Sequence, residues 1–292
     1  MIASLKLVVD VKATLGEGPC WDAVNQVFYW IDIEQEKLHV HDPKTQSNRV
    51  IPCGQRVGAA VPRASGGIIL AMENGFYSLN LETEVLTAIL DPEAEIATNR
   101  FNDGKCDAVG RFWAGTMDMQ DELEQGALYC LDTDLTCRKV IVHISTSNGI
   151  AWSPDNQIMY YIDSPTCQVV AFDYDLSMGT VSNRRTIITI PEGSGFPDGM
   201  TSDEEGMLWV AQWDGWQVSR WNPHTGELIE VIRVPVAKVS SCVFGGEHLD
   251  ILYITTASIG IGPEGDPQQP LAGSVFAIKT KVKGAPTFAF AG

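Results

Sequence analysis

Four side chains that can offer oxygen to a cation, each immediately before a glycine, recur in the same phase along this chain. These are Glu17 in LGEGP, Asp103 in FNDGK, Asn148 in TSNGI and Asp198 in FPDGM. Taken singly, such segments are ordinary turn sequences. Their phase says more, because each precedes a short apolar stretch, while the recognisable hairpin turns (DAVNQ, SPDNQ, SDEEG) come several residues later. Carboxylates brought this close repel one another, so they either hold protons or need a cation between them. A hard, oxygen-preferring divalent ion, with water completing its shell, suits three carboxylates and an amide.

Such residues meet only if the chain repeats. Shifting the sequence by 131 residues lays GPCWDAVNQVFYWID (18–32) on GIAWSPDNQIMYYID (149–163) with seven identities in fifteen positions. Weaker copies start at Asp103 and Asp198, and halving the spacing from Glu17 to Asp103 predicts another near Ala60, in GAAVPRASGGIILAMENGFYSLN. A sixth begins at Ser241, giving spacings of about 43, 43, 45, 50 and 43 residues. Helical periodicity is nearly absent, and runs such as VFYWI, IMYYI and ILYIT recur between turn signals. Four short strands in a repeat of this length make a propeller blade. The expectation is an all-β, six-bladed β-propeller forming one domain over residues 1–292, closed by the N-terminal SLKLVVDV and the C-terminal SVFAI strands. Its inner strands would bring Glu17, Ala60, Asp103, Asn148, Asp198 and Ser241 to one axis.

The segments LGEGPCW, NRFNDGKCDAVGRFWAGTMD, SNGIAWSPDNQIMYYID and FPDGMTSDEEGMLWV together resemble the SMP-30/gluconolactonase/LRE-like family, in order and spacing, from about Leu15 to beyond Ala257. The resemblance implies one catalytic divalent cation and hydrolysis of a sugar lactone to its aldonic acid. It places the metal ligands on Glu17, Asn148 and Asp198, and the substrate contacts on Arg100 and Asn102. It makes Asp198 the general base; because an aspartate that is also a ligand is a feeble base, Asp103 is a second candidate. An acid that the family carries after GTM falls on Gln120 here, so either the amide replaces it or Asp121 or Glu122 shifts in. Ca²⁺, Mg²⁺ or Mn²⁺ fits a site without histidines, and Fe²⁺ or Zn²⁺ is compatible with an oxygen-rich catalytic centre.

The remaining sequence narrows the alternatives. No GxSxG, HExxH or P-loop motif is present. The net charge of −17 argues against nucleic acid and anionic membrane as partners and leaves a small molecule. Seven cysteines without CxxC spacing, and a start lacking a signal peptide's apolar core, point to buried thiols in a cytoplasmic protein, monomeric or weakly oligomeric. His39 and His41, on the third strand of their blade, are surface or packing residues. Competing readings are a phosphotriester hydrolase and a calcium-binding regulator without turnover. A polar wall favours a polyhydroxy substrate, whereas an apolar rim favours esters.

Overall fold

The computed structural model describes residues 4–261 and 266–292. Among these, the strands form six four-stranded sheets. The inner strands are Gly16–Asp22, Val57–Pro62, Asn99–Cys106, Ser147–Trp152, Phe196–Ser202 and Val239–Gly245. Each touches the next around the ring, and the last touches the first. The protein is a six-bladed β-propeller with antiparallel blades, as the repeat predicts. The sixth blade is shared by the two chain ends: Lys6–Val9 pairs antiparallel with Val275–Lys279, with Lys6 opposite Ala277. This closes the ring.

Position within a blade explains the sequence pattern. Inner strands are covered on both faces, so every residue of Val57–Pro62, Ser147–Trp152 and Val239–Gly245 is buried. Outer strands face water, and Thr180–Thr189 is largely exposed. Between neighbouring blades the apolar faces interlock, as where Ala59, Ile69 and Phe76 meet Phe101, Phe112 and Tyr129. The hairpin turns are tied by aspartates. Asp107 accepts bonds from Trp113 Nε1 (3.0 Å) and the Tyr174 hydroxyl (2.6 Å) and pairs with Arg111, while Asp203 accepts from Trp209 Nε1 (2.9 Å) and Arg220 Nε (2.8 Å). All seven cysteines are free, and burial pushes Cys20, Cys130 and Cys242 up to about 12, which keeps them protonated.

The repeat register needs one correction. Every inner strand is bulged near its start, with pairing skipped between Glu17 and Cys20, Val57 and Ala59, Phe101 and Asp103, Ser147 and Ile150, Pro197 and Met200, and Val239 and Ser241. The residues in the bulges of blades two, three and six are therefore Gly58, Asn102 and Ser240, not Ala60, Asp103 and Ser241. A bulge inserts a residue without changing the hairpin, so counting along the chain cannot place it.

At the far end of the channel, the last residues cross the ring as a strap. Ala285 N donates to Ser202 O, Thr287 Oγ1 to Trp21 O, Phe290 N to Pro62 O and Ala291 N to Gly110 O. A second cavity of about 250 Å³ lies under it, lined in part by Lys105, Trp152 and Phe288. A larger cavity opens at the opposite end, where the inner strands begin.

Candidate active site

Asn102, Asn148 and Asp198, in their bulges, and Glu17, still opposite Ile31 and directly before its own, line one cavity of about 750 Å³, together with Arg100. Gly18 adopts φ +51°, a left-handed conformation that favours glycine, and its N–H binds Glu17 Oε2 at 3.0 Å. Gly199 answers a different constraint: a Cβ there would collide with Ser241 Oγ of the next inner strand. The acid–glycine pairs are thus consequences of a bulged strand in a tight ring rather than free turns.

A relay of hydrogen bonds fixes the amides. Arg100 Nη1 donates to Phe101 O (3.0 Å) and to Asn102 Oδ1 (2.6 Å). Asn102 Nδ2 then donates to Ser147 O (2.8 Å) and Asn148 Oδ1 (3.1 Å). Asn148 Nδ2 continues to Ser164 Oγ (2.8 Å), which donates to Pro197 O (2.6 Å). Because Asn102 must present its NH₂ group, Asn148 must present its oxygen, and one lone pair of Oδ1 stays free.

The acids have no such support. Burial, followed by the charge of Asp103, raises Glu17 to about 8 against the opposing pull of Gly18 N–H and Arg100. Asp198 is raised well above the usual carboxylate range by burial and then by Glu17 and Asp103, with only the Gly199 N–H opposing. Burial also raises Asp103 to about 6 and lowers Arg100 to about 10. Two buried carboxylates and an oriented amide oxygen, with no side-chain donor on either acid among the described residues, suit a hard divalent cation. Among the described residues no cluster of three His, Cys, Asp or Glu side chains is placed for a metal.

Asp103 does not line the cavity. It resumes strand pairing opposite Gly115, between Asn102 on this cavity and Gly104 on the strap-side one, and Lys105 is the cation that counters it. Its charge still reaches the cavity acids, contributing to the raised values of Glu17 and Asp198. Gln120 is exposed and also off the wall, because the Asp118 carboxylate takes its backbone N–H at 2.6 Å and turns the chain there; Asp121 reaches the rim instead. His39 is buried, stacked on Trp30 at 3.8 Å, and lowered to about 4 by burial; it packs a blade.

Several wall residues carry no motif. Glu34 and Arg56 line one flank, with Arg56 Nε and Nη2 on Glu34 (both 3.2 Å) and Nη1 on Glu73 (3.3 Å). Phe196, Trp213 and Ile259 line another, and Phe196 is 48% exposed. Only an exposed aromatic before PDG could have hinted at them. The wall is therefore mixed, not uniformly polar.

Comparison with known proteins agrees with this architecture. The SMP-30/gluconolactonase/LRE-like region matches residues 15–258. YvrE of Bacillus subtilis (strain 168), a candidate sugar lactone lactonase, is 40% identical over 286 residues, covering 98% of both chains. Regucalcin of Xenopus laevis is 38% identical over 299 residues, covering 100% of both. A solved luciferin-regenerating enzyme superposes with a TM-score of 0.93 at 31% identity over 99% of both chains. A propeller whose bulged inner strands carry these residues, matched over nearly its whole length, belongs to the SMP-30/gluconolactonase/LRE-like family.

Proposed function

We propose that the protein hydrolyses a sugar lactone to the hydroxy acid, using one divalent cation held by Glu17, Asn148 and Asp198. The observation that carries this reading is the pair of buried acids without side-chain donors, set beside an asparagine whose free oxygen lone pair is fixed by Arg100 and Asn102. A bound divalent cation would polarise the ester carbonyl and stabilise the charge that develops on its oxygen. Arg100, through its remaining N–H groups, and Asn102, through the second lone pair of Oδ1, hold the ring hydroxyls. Asp198 takes the proton from the attacking water and returns it to the alkoxide as the ring C–O bond breaks, so one water is consumed and one hydroxy acid is formed.

The charge balance supports an uncharged substrate. Glu17, Glu34, Asp121 and Asp198 face Arg56 and Arg100, and a dication would cancel the excess of two negative charges. Arg56 is engaged by Glu34 and Glu73, so no free guanidinium on that flank would capture a phosphorylated sugar. Ca²⁺, Mg²⁺ or Mn²⁺ fits the oxygen donors, and free, buried thiols fit a cytoplasmic setting. The apolar flank gives the phosphotriester reading its one supporting observation.

The test is a pH-indicator assay of aldonolactones and a phosphotriester, run on metal-stripped protein reconstituted with single ions and corrected for spontaneous opening. Ion-dependent lactone turnover is expected, with Asp198→Ala reducing kcat at least hundredfold. Full turnover by Asp198→Ala or Glu17→Gln with metal still bound refutes the mechanism. Metal binding without any turnover favours a regulator.

A further inference from the structure

We infer that the cavity takes a neutral lactone bearing an apolar arm, an alkyl or aryl group on the ring, and that Phe196, Trp213 and Ile259 form the shelf on which the arm lies. This rests on the lactone reading above and names its substrate class. Three observations lead to it.

The first is size. At about 750 Å³ the cavity falls in the range of pockets for drug-sized ligands, about 300–1,000 Å³, and a free aldonolactone is much smaller than such ligands. The second is asymmetry. The oxygen-rich floor and the Glu34–Arg56 flank hold nearly all the charge, whereas the opposite flank is apolar. Phe196 and Trp213 are direct cross-strand partners at the start of their blade and share a face, and Ile259 lies on the cavity from the neighbouring blade. The third is cost. Phe196 remains 48% exposed at the rim, in a fold that buries most of its large apolar side chains. An aromatic left open beside a pocket gains from a ligand that covers it. Lys238 Nζ sits over the Trp213 ring at 4.4 Å and pairs with Asp214, which steadies that ring from the other blade.

The test is a series of δ-lactones with alkyl chains of increasing length, measured beside an aldonolactone on metal-loaded protein. Each methylene that reaches the shelf should raise kcat/KM about three- to fourfold, mainly through KM, until the shelf is covered. Phe196→Ala should reduce the gain to under about twofold per methylene, and Phe196→Leu should restore most of it. Binding of the matching alkyl δ-lactams, which resist hydrolysis, is followed by calorimetry and should show the same chain-length dependence. If aldonolactones turn over while the alkyl series is flat, the shelf is refuted and the hydrolase reading stands. If no lactone turns over with any ion, yet lactam affinity climbs with chain length and falls in Phe196→Ala, the shelf stands and the hydrolase reading fails. Equal loss on all substrates in both Phe196 variants overturns the inference, because it marks a role in folding alone.

Discussion

Replacing Glu17 by Gln separates two things the wild-type residue does, binding a cation and burdening the fold. In the metal-free protein Glu17 is raised from 4.5 to about 8, first by burial and then by the charge of Asp103. The sign follows from linkage. Between pH 4.5 and about 8 the folded state holds a proton that the unfolded state has released, so stability falls as pH rises through that window. At about 1.4 kcal/mol per pKa unit, the ceiling on this loss is on the order of 5 kcal/mol, and because Glu17 and Asp198 share the burden a few kcal/mol is the working figure. Glutamine is uncharged throughout, and its oxygen can still accept the Gly18 N–H that Glu17 accepts at 3.0 Å. Metal-free Glu17→Gln should therefore be more stable than metal-free wild type at pH 8, by several degrees in thermal midpoint, and nearly equal to it at pH 5. Adding a divalent ion should flatten the wild-type pH profile and raise its midpoint, about 2.7 kcal/mol at a hundredfold excess over Kd, and do little for the variant. Thermal melts of both proteins across pH 5–8, with chelator and with each ion, give the comparison. A variant less stable than wild type at pH 8 in chelator, or two parallel pH profiles, refutes the claim that Glu17 is a buried, uncompensated acid.

Two further perturbations probe the positioning of the site. Asn102→Ala breaks the relay between Arg100 and Asn148, freeing the Asn148 amide to turn, and should weaken metal binding by about ten- to a hundredfold while leaving the melt in chelator within a few degrees; calorimetric titration with the ion decides it. Gly199→Ala should destabilise by about 1–3 kcal/mol, because the added methyl collides with Ser241 Oγ across the inner ring. Urea midpoints decide it, and a Gly199→Ala variant as stable as the wild type would contradict the close-approach argument.

The architecture was legible because a propeller repeats its chemistry along with its shape. The near-copy of residues 18–32 at 149–163 set both the blade length and the blade count, and the terminal strands had an obvious vacancy to fill in the sixth blade. The candidate site was legible only where the repeat register falls on the cavity wall, at Glu17, Asn148 and Asp198. At the third blade they part. Asp103 precedes glycine as the others do, but its strand has already passed the bulge at Asn102, so the carboxylate points the sequence reader one residue too deep. Glu34, Arg56, Trp213 and Ser164 left no signal because they reach the cavity from loops and a second strand with no common period; Phe196, first in its inner strand, left only the hint of an aromatic before PDG. The strap was invisible for a similar reason: its backbone bonds to four blades follow no side-chain pattern.

What finally distinguishes a site acid from a structural one is the company it keeps, since both kinds lie in similar Asp-rich stretches only a few residues apart. Asp198 and Asp203 sit on one continuous segment, and both are buried. Asp203 is wholly enclosed, yet Trp209 Nε1 and the Arg220 guanidinium satisfy it, and it locks a hairpin. Asp198 is given one backbone N–H and two nearby negative charges. Charge buried without partners is costly, and a fold keeps it only where something else completes it. In this ring one bulge takes Asp198 out of strand pairing and another begins directly after Glu17, so the placing of both partnerless acids on the channel wall goes back to one kind of backbone irregularity repeated around the ring.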